Sequence, residues 1–225
     1  MIETKNLTKT FKDGEAETKV LKGIDFKAES GEFVAVMGRS GAGKSTFLYL
    51  MSLLDEPTGG EIIIDGQEAR KMTIDEKTLF RLEKCGYVFQ DYALLPDLTA
   101  LENVALPLLM QNIGRKKAYA QAKESLIKVK LGHRLGNLPS HLSGGEQQRV
   151  SIARAVAHNP KILFADEPTA NLDNESSKAV VEIFKEIHLA GQTIIMVTHE
   201  EQYAKMAGRV IHLDDGKIIS VQKNS

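Results

Sequence analysis

One segment constrains the fold of this chain more than any other. It is Gly38-Arg39-Ser40-Gly41-Ala42-Gly43-Lys44-Ser45, set between the apolar run Phe33-Val34-Ala35-Val36-Met37 and a helical run from Thr46 to Leu54. A strand that turns through glycines into a helix, with Lys-Ser at the helix start, fits the P-loop pattern in the context that gives it meaning. The glycines let consecutive backbone N–H groups turn toward a phosphate, and the positive end of the helix favours the anion. Lys44 would then reach the β- and γ-phosphates of a nucleotide, and the Ser45 hydroxyl would ligate Mg2+. Arg39, Ser40, Ala42 and Thr46 complete the same phosphate-binding turn.

Two further apolar runs of strand length, Ile162-Leu163-Phe164-Ala165 and Thr193-Ile194-Ile195-Met196-Val197, are each followed by helical periodicity. Such runs suit parallel strands buried on both faces. The start of the chain differs. Ile24, Phe26 and Ala28 alternate with polar residues, and Asp13-Gly14 and Asp65-Gly66 mark turns beside β-rich stretches such as Glu61-Ile62-Ile63-Ile64. From about Asp91 to His158 the apolar residues recur at helical spacing, as in Ala118, Ala122, Leu126 and Val129. Strand character returns at Arg209 to Leu213 and at Lys217 to Val221, joined by Asp215-Gly216. The predicted fold class is α/β: a P-loop NTPase core with a mixed or parallel sheet, an N-terminal antiparallel β subdomain and an inserted α-helical subdomain. Residues 1–225 are predicted to form a single domain, with 1–90 and 159–225 as the core and 91–158 as the helical subdomain.

The second run delivers Asp166 and Glu167 at its C-terminal end, where open α/β sheets place ligands. Asp166 is the expected Mg2+ partner of Ser45. Glu167 would polarise the attacking water. His199 follows the third run after Thr198 and should emerge on the same sheet edge. Another pattern, Leu142-Ser143-Gly144-Gly145-Glu146-Gln147-Gln148-Arg149, precedes a helical run with Val150, Ala153 and Val156 on one face. Ser143 is a natural N-cap, and Glu146 three positions on completes a capping box. Gly144 and Gly145 expose backbone N–H groups within that turn, so a second anion site is implied.

Composition narrows the function. With 29 Lys plus Arg against 30 Asp plus Glu, the net charge of -1 provides no global attraction to nucleic acid or anionic lipid. The longest apolar-looking stretch, Ala93 to Met110, is broken by Asp97, Glu102, Asn103 and two prolines, short of the roughly 20 residues of a spanning helix. A single cysteine, Cys85, and a first segment without a signal-peptide core predict a reducing location.

In that order, the P-loop, Leu142-Ser143-Gly144-Gly145-Glu146, Asp166-Glu167 and His199 resemble the ATP-binding cassette ATPases that drive ABC transporters. Gln90, after Gly86-Tyr87-Val88-Phe89, is similar to the family's Q-loop, and Ala170-Asn171-Leu172-Asp173 to its D-loop. Phe11 stands where the family's adenine-stacking aromatic does. The runs Leu54-Asp55-Glu56-Pro57-Thr58 and Leu95 to Val104 look like the branch serving lipoprotein release and macrolide-type efflux. The resemblance implies ATP and Mg2+ as cofactors, with Gln90 joining Ser45 and Asp166 at the metal. Glu167, His199 and Gln90 would be the catalytic group. Asp173 and Ser143 to Glu146 would join the P-loop in binding nucleotide. It further implies an ATP-dependent head-to-tail homodimer, transmembrane permease partners, and a cytoplasmic, membrane-peripheral location. The alternative is an ATP-switched nucleic-acid protein. The short stretch between Gln90 and Ser143 lacks sustained heptads, and the only basic cluster, Arg115-Lys116-Lys117, is brief, so no nucleic-acid partner is expected.

Overall fold

Alternating burial builds the first layer of the computed structural model, which describes residues 1–14 and 16–224. β1 (Ile2–Asp13) and β2 (Ala16–Ala28) form an antiparallel hairpin that turns the buried side chains Ile2, Leu7, Leu21, Ile24, Phe26 and Ala28 to the core. β3 (Phe33–Met37) is buried at all five positions and leads through the glycine-rich turn into α1 (Lys44–Met51). β4 (Gly59–Ile64) pairs antiparallel with β1 and with the short β5 (Gln67–Glu68), giving the order β2-β1-β4-β5. α2 follows (Ile74–Lys84) and contains the boundary between two compact units, Met1–Arg81 with Gln192–Ser225, and Leu82–Gly191.

The second unit begins with β6 (Cys85–Val88) and continues with α3 (Ala100–Met110), α4 (Arg115–Lys128), α5 (Gly144–Val156), β7 (Ile162–Asp166) and α6 (Asn174–Leu189). β6 and β7 run parallel, from Cys85 opposite Ile162 to Val88 opposite Ala165. Tyr87 and Phe164 stack across the pair with ring centroids 5.9 Å apart. α5 packs closely on β6 at Gly86, where a Cβ would lie 2.3 Å from the Ala155 carbonyl oxygen. Chain then returns to the first unit as β8 (Thr193–Val197), α7 (Glu201–Ala204), β9 (Arg209–Asp214) and β10 (Lys217–Lys223). There β3 is flanked by β8 and β9, both parallel to it, and β10 closes an antiparallel hairpin on β9, so the sheet is mixed.

The three apolar runs are strands, and the helical periodicity at Ala118, Ala122, Leu126 and Val129 is the buried stripe of α4 and its C-cap. Three details differ from the sequence reading. Residues 91–99 are irregular, and helix begins only at Ala100. Val156 is half-buried, while Ala155 turns inward. α2 was not anticipated. It buries none of its residues, and its charged Asp75, Glu76, Lys77, Arg81, Glu83 and Lys84 outnumber its apolar Ile74, Leu79, Phe80 and Leu82. Among the described residues, no helix is long and apolar enough to cross a membrane.

Candidate active site

In the first unit the P-loop joins β3 to α1. Gly38 is required by close approach, since a Cβ there would sit 2.1 Å from the Leu213 carbonyl oxygen. Gly43, at φ 97, is the N-cap of α1 in a left-handed conformation that suits glycine. No side chain caps this helix and its first turn holds no acid, whereas α3, α5 and α6 each have a side-chain cap and an acidic residue there. The positive dipole end of this helix start is therefore not offset by a side-chain cap or a carboxylate of its own first turn. Lys44 is the first helical residue and is buried, with Nζ donating to the Arg39 carbonyl at 3.1 Å. Ser45 and Thr46 follow, half-buried, while Arg39, Ser40 and Gly41 are exposed and Ala42 is buried.

β8 lies next to β3, and the Thr198 N–H donates to the Val36 carbonyl at 3.2 Å. His199 is exposed immediately beyond, at the same C-terminal edge as the P-loop. Phe11, on β1, is 46% exposed, with the Lys9 ammonium 4.9 Å from its ring centroid. That ammonium also reaches Asp55 at 2.7 Å and the Glu56 carbonyl at 2.6 Å. Leu53, Leu54, Pro57, Ile62 and Ile74 line an open groove of the same unit that sequence reasoning did not identify.

The second unit carries the remaining predicted residues. β7 ends at Asp166, which is buried, and Glu167 takes φ 42. The left-handed backbone costs a non-glycine residue roughly 1–2 kcal/mol and turns Glu167 out of the strand direction. Gln90 is exposed just past the end of neighbouring β6, and its carbonyl accepts from Asn171 Nδ2 at 3.0 Å. Asp173 is the N-cap of α6: Oδ1 accepts the Glu175 and Ser176 N–H groups at 2.9 Å and Oδ2 accepts the Ser176 hydroxyl at 2.7 Å. These bonds, led by the Ser176 N–H, hold its carboxyl below the usual range. Asp173 thus has a structural task beside any contact with nucleotide.

At the start of α5 the capping box is complete. Ser143 Oγ accepts the Glu146 N–H at 3.3 Å, and Glu146 Oε2 accepts the Ser143 N–H at 2.9 Å. Glu146 Oε1 meets Arg134 Nε at 2.9 Å. The Ser143 N–H is the main cause that depresses the Glu146 carboxyl, and Arg134 adds to it. The arginine also offsets a negative charge that would oppose an anion at this helix start. Gly144 and Gly145 have packing reasons that their motif did not disclose. A Cβ at Gly144 would meet the Tyr92 hydroxyl at 2.9 Å, and one at Gly145 the Ser176 Oγ at 2.5 Å.

Residues missed by sequence reasoning hold the segment between Gln90 and α3. Arg154 donates to the Tyr92 carbonyl at 2.9 Å and the Ala93 carbonyl at 2.5 Å, and burial pulls its guanidinium below its ordinary value. Buried Asn103 accepts the Leu95 N–H at 2.8 Å and donates to the Leu95, Leu98 and Thr99 carbonyls. A polar residue inside an apolar helical run was the available signal, but the run does not name its partners. Leu95 is 44% exposed; Tyr92, Leu94 and Leu98 are half-buried.

Residues 21–170 match the family model described as ABC transporter. The chain belongs to the ABC transporter family. It is 49% identical to an uncharacterized ABC transporter ATP-binding protein, MJ1508, of Methanocaldococcus jannaschii, over 98% of this chain and 99% of that one. It is 44% identical to the lipoprotein-releasing system ATP-binding protein LolD of Aquifex aeolicus, over 97% and 96%. Identity is 47% to the macrolide export ATP-binding/permease protein MacB of Aggregatibacter actinomycetemcomitans over 98% of this chain, which spans only 34% of that protein's length. Its fold matches the ATP-binding cassette MJ0796, solved as a dimer in a post-hydrolysis state bound to ADP and Pi, with a TM-score of 0.93 and 40% identity over 100% and 99% of the two chains.

As an ABC cassette the chain is an ATPase, with ATP as its nucleotide and Mg2+ as the accompanying ion. The side chains that the sequence nominates for that ion, the Ser45 hydroxyl, the Asp166 carboxylate and the Gln90 amide, offer oxygen donors of the hard type it takes. Mg2+ keeps several waters and takes substrate phosphates as further ligands.

Proposed function

We propose that this chain is the ATP-hydrolysing subunit of an ABC transporter that pairs head to tail with a second copy around two ATP molecules and drives membrane permease subunits. The chain acts as a single nucleotide-binding domain, with 91–158 as its helical subdomain, peripheral on the cytoplasmic face of the membrane. The work it drives is export, lipoprotein release or a related mechanical transport, a reading supported by the likeness to MacB and LolD.

The observation that carries the reading is the α1 start, where an uncapped helix N-terminus and Lys44 stand together at the end of a buried strand. Gly38, Gly41 and Gly43 shape the turn so that its N–H groups surround the phosphates, while Lys44 adds a point charge to the β/γ oxygens. Ser45, Asp166 and Gln90 would hold Mg2+, which would supply positive charge beside the phosphates. Phe11 stacks on the base. Glu167, turned out of β7 by its left-handed backbone, accepts a proton from the attacking water. Gln90 and His199 orient that water and the γ-phosphate. Ser143, Gly144 and Gly145 of the second copy close on the γ-phosphate as the other helix start, and Asp173 stands beside that junction.

Lys44→Ala tests the reading. ATP turnover is expected to fall by at least about 100-fold, the scale on which a single preorganised donor acts. Thermal unfolding without nucleotide serves as the check that the variant is folded. Near-normal turnover would remove the P-loop from the proposed site.

A further inference from the structure

The chain just past Gln90 is held in an unfavourable conformation by one side chain. Tyr92 and Ala93 have φ 65 and 48, two successive non-glycine residues in the left-handed region. Neither is asparagine or aspartate, the residues that visit this region most readily. Such a pair persists only where the surroundings over-determine it. Here the carbonyls of both residues are taken by Arg154, two residues before the end of α5, so that one guanidinium spans the pair. A planar fork with fixed donors suits two adjacent acceptors as a single ammonium does not. The held segment is tied at its other points as well. Asn171 Nδ2 donates to the Gln90 carbonyl, the Ala93 N–H bonds to the Asp91 carbonyl at 2.7 Å, and Asn103 fixes Leu95. The Tyr92 hydroxyl lies so close to Gly144 that any side chain there would strike it.

We propose that Arg154 is a positioning residue: its guanidinium holds Tyr92 and Ala93 in the left-handed conformation, which sets the direction in which Gln90 is presented and seats Tyr92 against the Gly144 helix start. The inference rests on the role given to Gln90 above. Arg154 touches no nucleotide and acts through the backbone it holds. A shift of residues 91–95 is therefore shared with the start of α5 and does not stay local. The two ends of this linkage are the residue proposed to orient water and the helix start proposed to close on a phosphate.

Arg154→Gln removes the fork, and two readouts separate the outcomes. Amide hydrogen exchange in residues 91–95 is expected to accelerate at least about tenfold while amides in the later turns of α5, beyond the Gly144 start that Tyr92 touches, keep their protection. In steady-state turnover, kcat is expected to fall about tenfold with KM for ATP changed less than about twofold, the signature of lost orientation with binding intact. Ala93→Gly supplies the rescue, since glycine enters the left-handed region at little cost. Alone it should leave kcat near that of the parent chain, and in the Arg154→Gln background it should recover most of the lost kcat. Unchanged exchange in 91–95 overturns the clamp. A loss of kcat accompanied by a lower unfolding temperature and no rescue by Ala93→Gly also overturns it, leaving Arg154 as packing only. Gln90→Ala is measured in parallel: if its turnover is unaffected, the role of Gln90 fails while the exchange result still decides the clamp. Should Arg154→Gln not fold, Arg154→Lys, which keeps charge but has one donor centre, carries the same comparison.

Discussion

At the end of α5 the His158 imidazole places Nε2 3.1 Å from the Cys85 carbonyl, and because a carbonyl only accepts, Nε2 carries the proton. Nδ1 is buried and finds no hydrogen-bond partner. Burial is the leading cause that holds the ring below its ordinary value of 6.5, with the Cys85 bond opposing it. The sign follows from proton counts. Below about 6.5 the unfolded chain takes up a proton that the folded chain resists, so stability is full above that pH and declines beneath it. Urea unfolding from about pH 7.5 to about pH 5.5 is expected to show this decline in the parent chain and a flatter profile in His158→Gln. Parallel profiles would mean that His158 does not titrate in this window. At this scale the candidate site was legible where chemistry is contiguous in sequence, as at Gly38 to Ser45, Ser143 to Glu146 and Asp166-Glu167. Arg154 and His158 were not, because each bonds the backbone of a segment far away in the chain, and Asn103 was not, because its partners lie in an irregular segment whose course the sequence pattern does not show. Asp173 shows the converse. Its resemblance suggested nucleotide, while its carboxylate occupies three donors at the start of α6.

Elements were legible in proportion to their burial. β3, β7 and β8 are buried throughout and their apolar runs mark them almost residue for residue, and Ser143-x-x-Glu146 announced the start of α5. α2 buries none of its residues, and its charged composition hid it. The irregular segment 91–99 looked helical because its leucines fall within a longer helical period, yet Asn103 and Arg154 satisfy its backbone instead of a helix ladder. That distinction bears on where the proposed permease subunits would dock, for which the apolar side chains of this segment, with Leu95 exposed, are the candidate surface. The backbone of Leu95 is fixed by Asn103 while the residue is 44% exposed, so the core does not enclose its side chain. Leu95→Glu should therefore shift unfolding stability by no more than about 0.5 kcal/mol. It should also retain the parent's ATP affinity and lose capture of the permease in membranes, since a charge would replace an apolar contact at the docking surface. Unfolding of the variant would assign Leu95 to the core, and undiminished permease capture would place the docking surface elsewhere.

For the whole molecule, the parts proposed to meet on one ATP are divided between two copies. Each copy has, directly after buried β3, the uncapped helix start whose first residue is Lys44, at α1, and a helix start with its acid neutralised by Arg134, at α5. A single phosphate group needs both only if it is enclosed from two sides, and a two-fold pair provides that twice by symmetry. The net charge of -1 per chain leaves no long-range repulsion to oppose association. ATP that is bound but not consumed should therefore convert monomers to dimers, since it stabilises the closed pair alone. Glu167→Gln provides that condition, keeping the shape of the side chain while removing the base and sparing Asp166 for Mg2+. Light scattering with saturating ATP and Mg2+ is expected to show a dimer for Glu167→Gln and a monomer once ATP is withdrawn. Adding Ser143→Arg should abolish the dimer, because a cation with a long side chain fills the phosphate position and opposes the positive helix end. The loss of the Ser143 cap costs only about 1 kcal/mol, which unfolding without nucleotide measures separately and which is too little to unfold a domain of this size. A Glu167→Gln chain that stays monomeric under saturating ATP, or a double variant that still dimerises, would show that the α5 start does not close on the other copy's nucleotide.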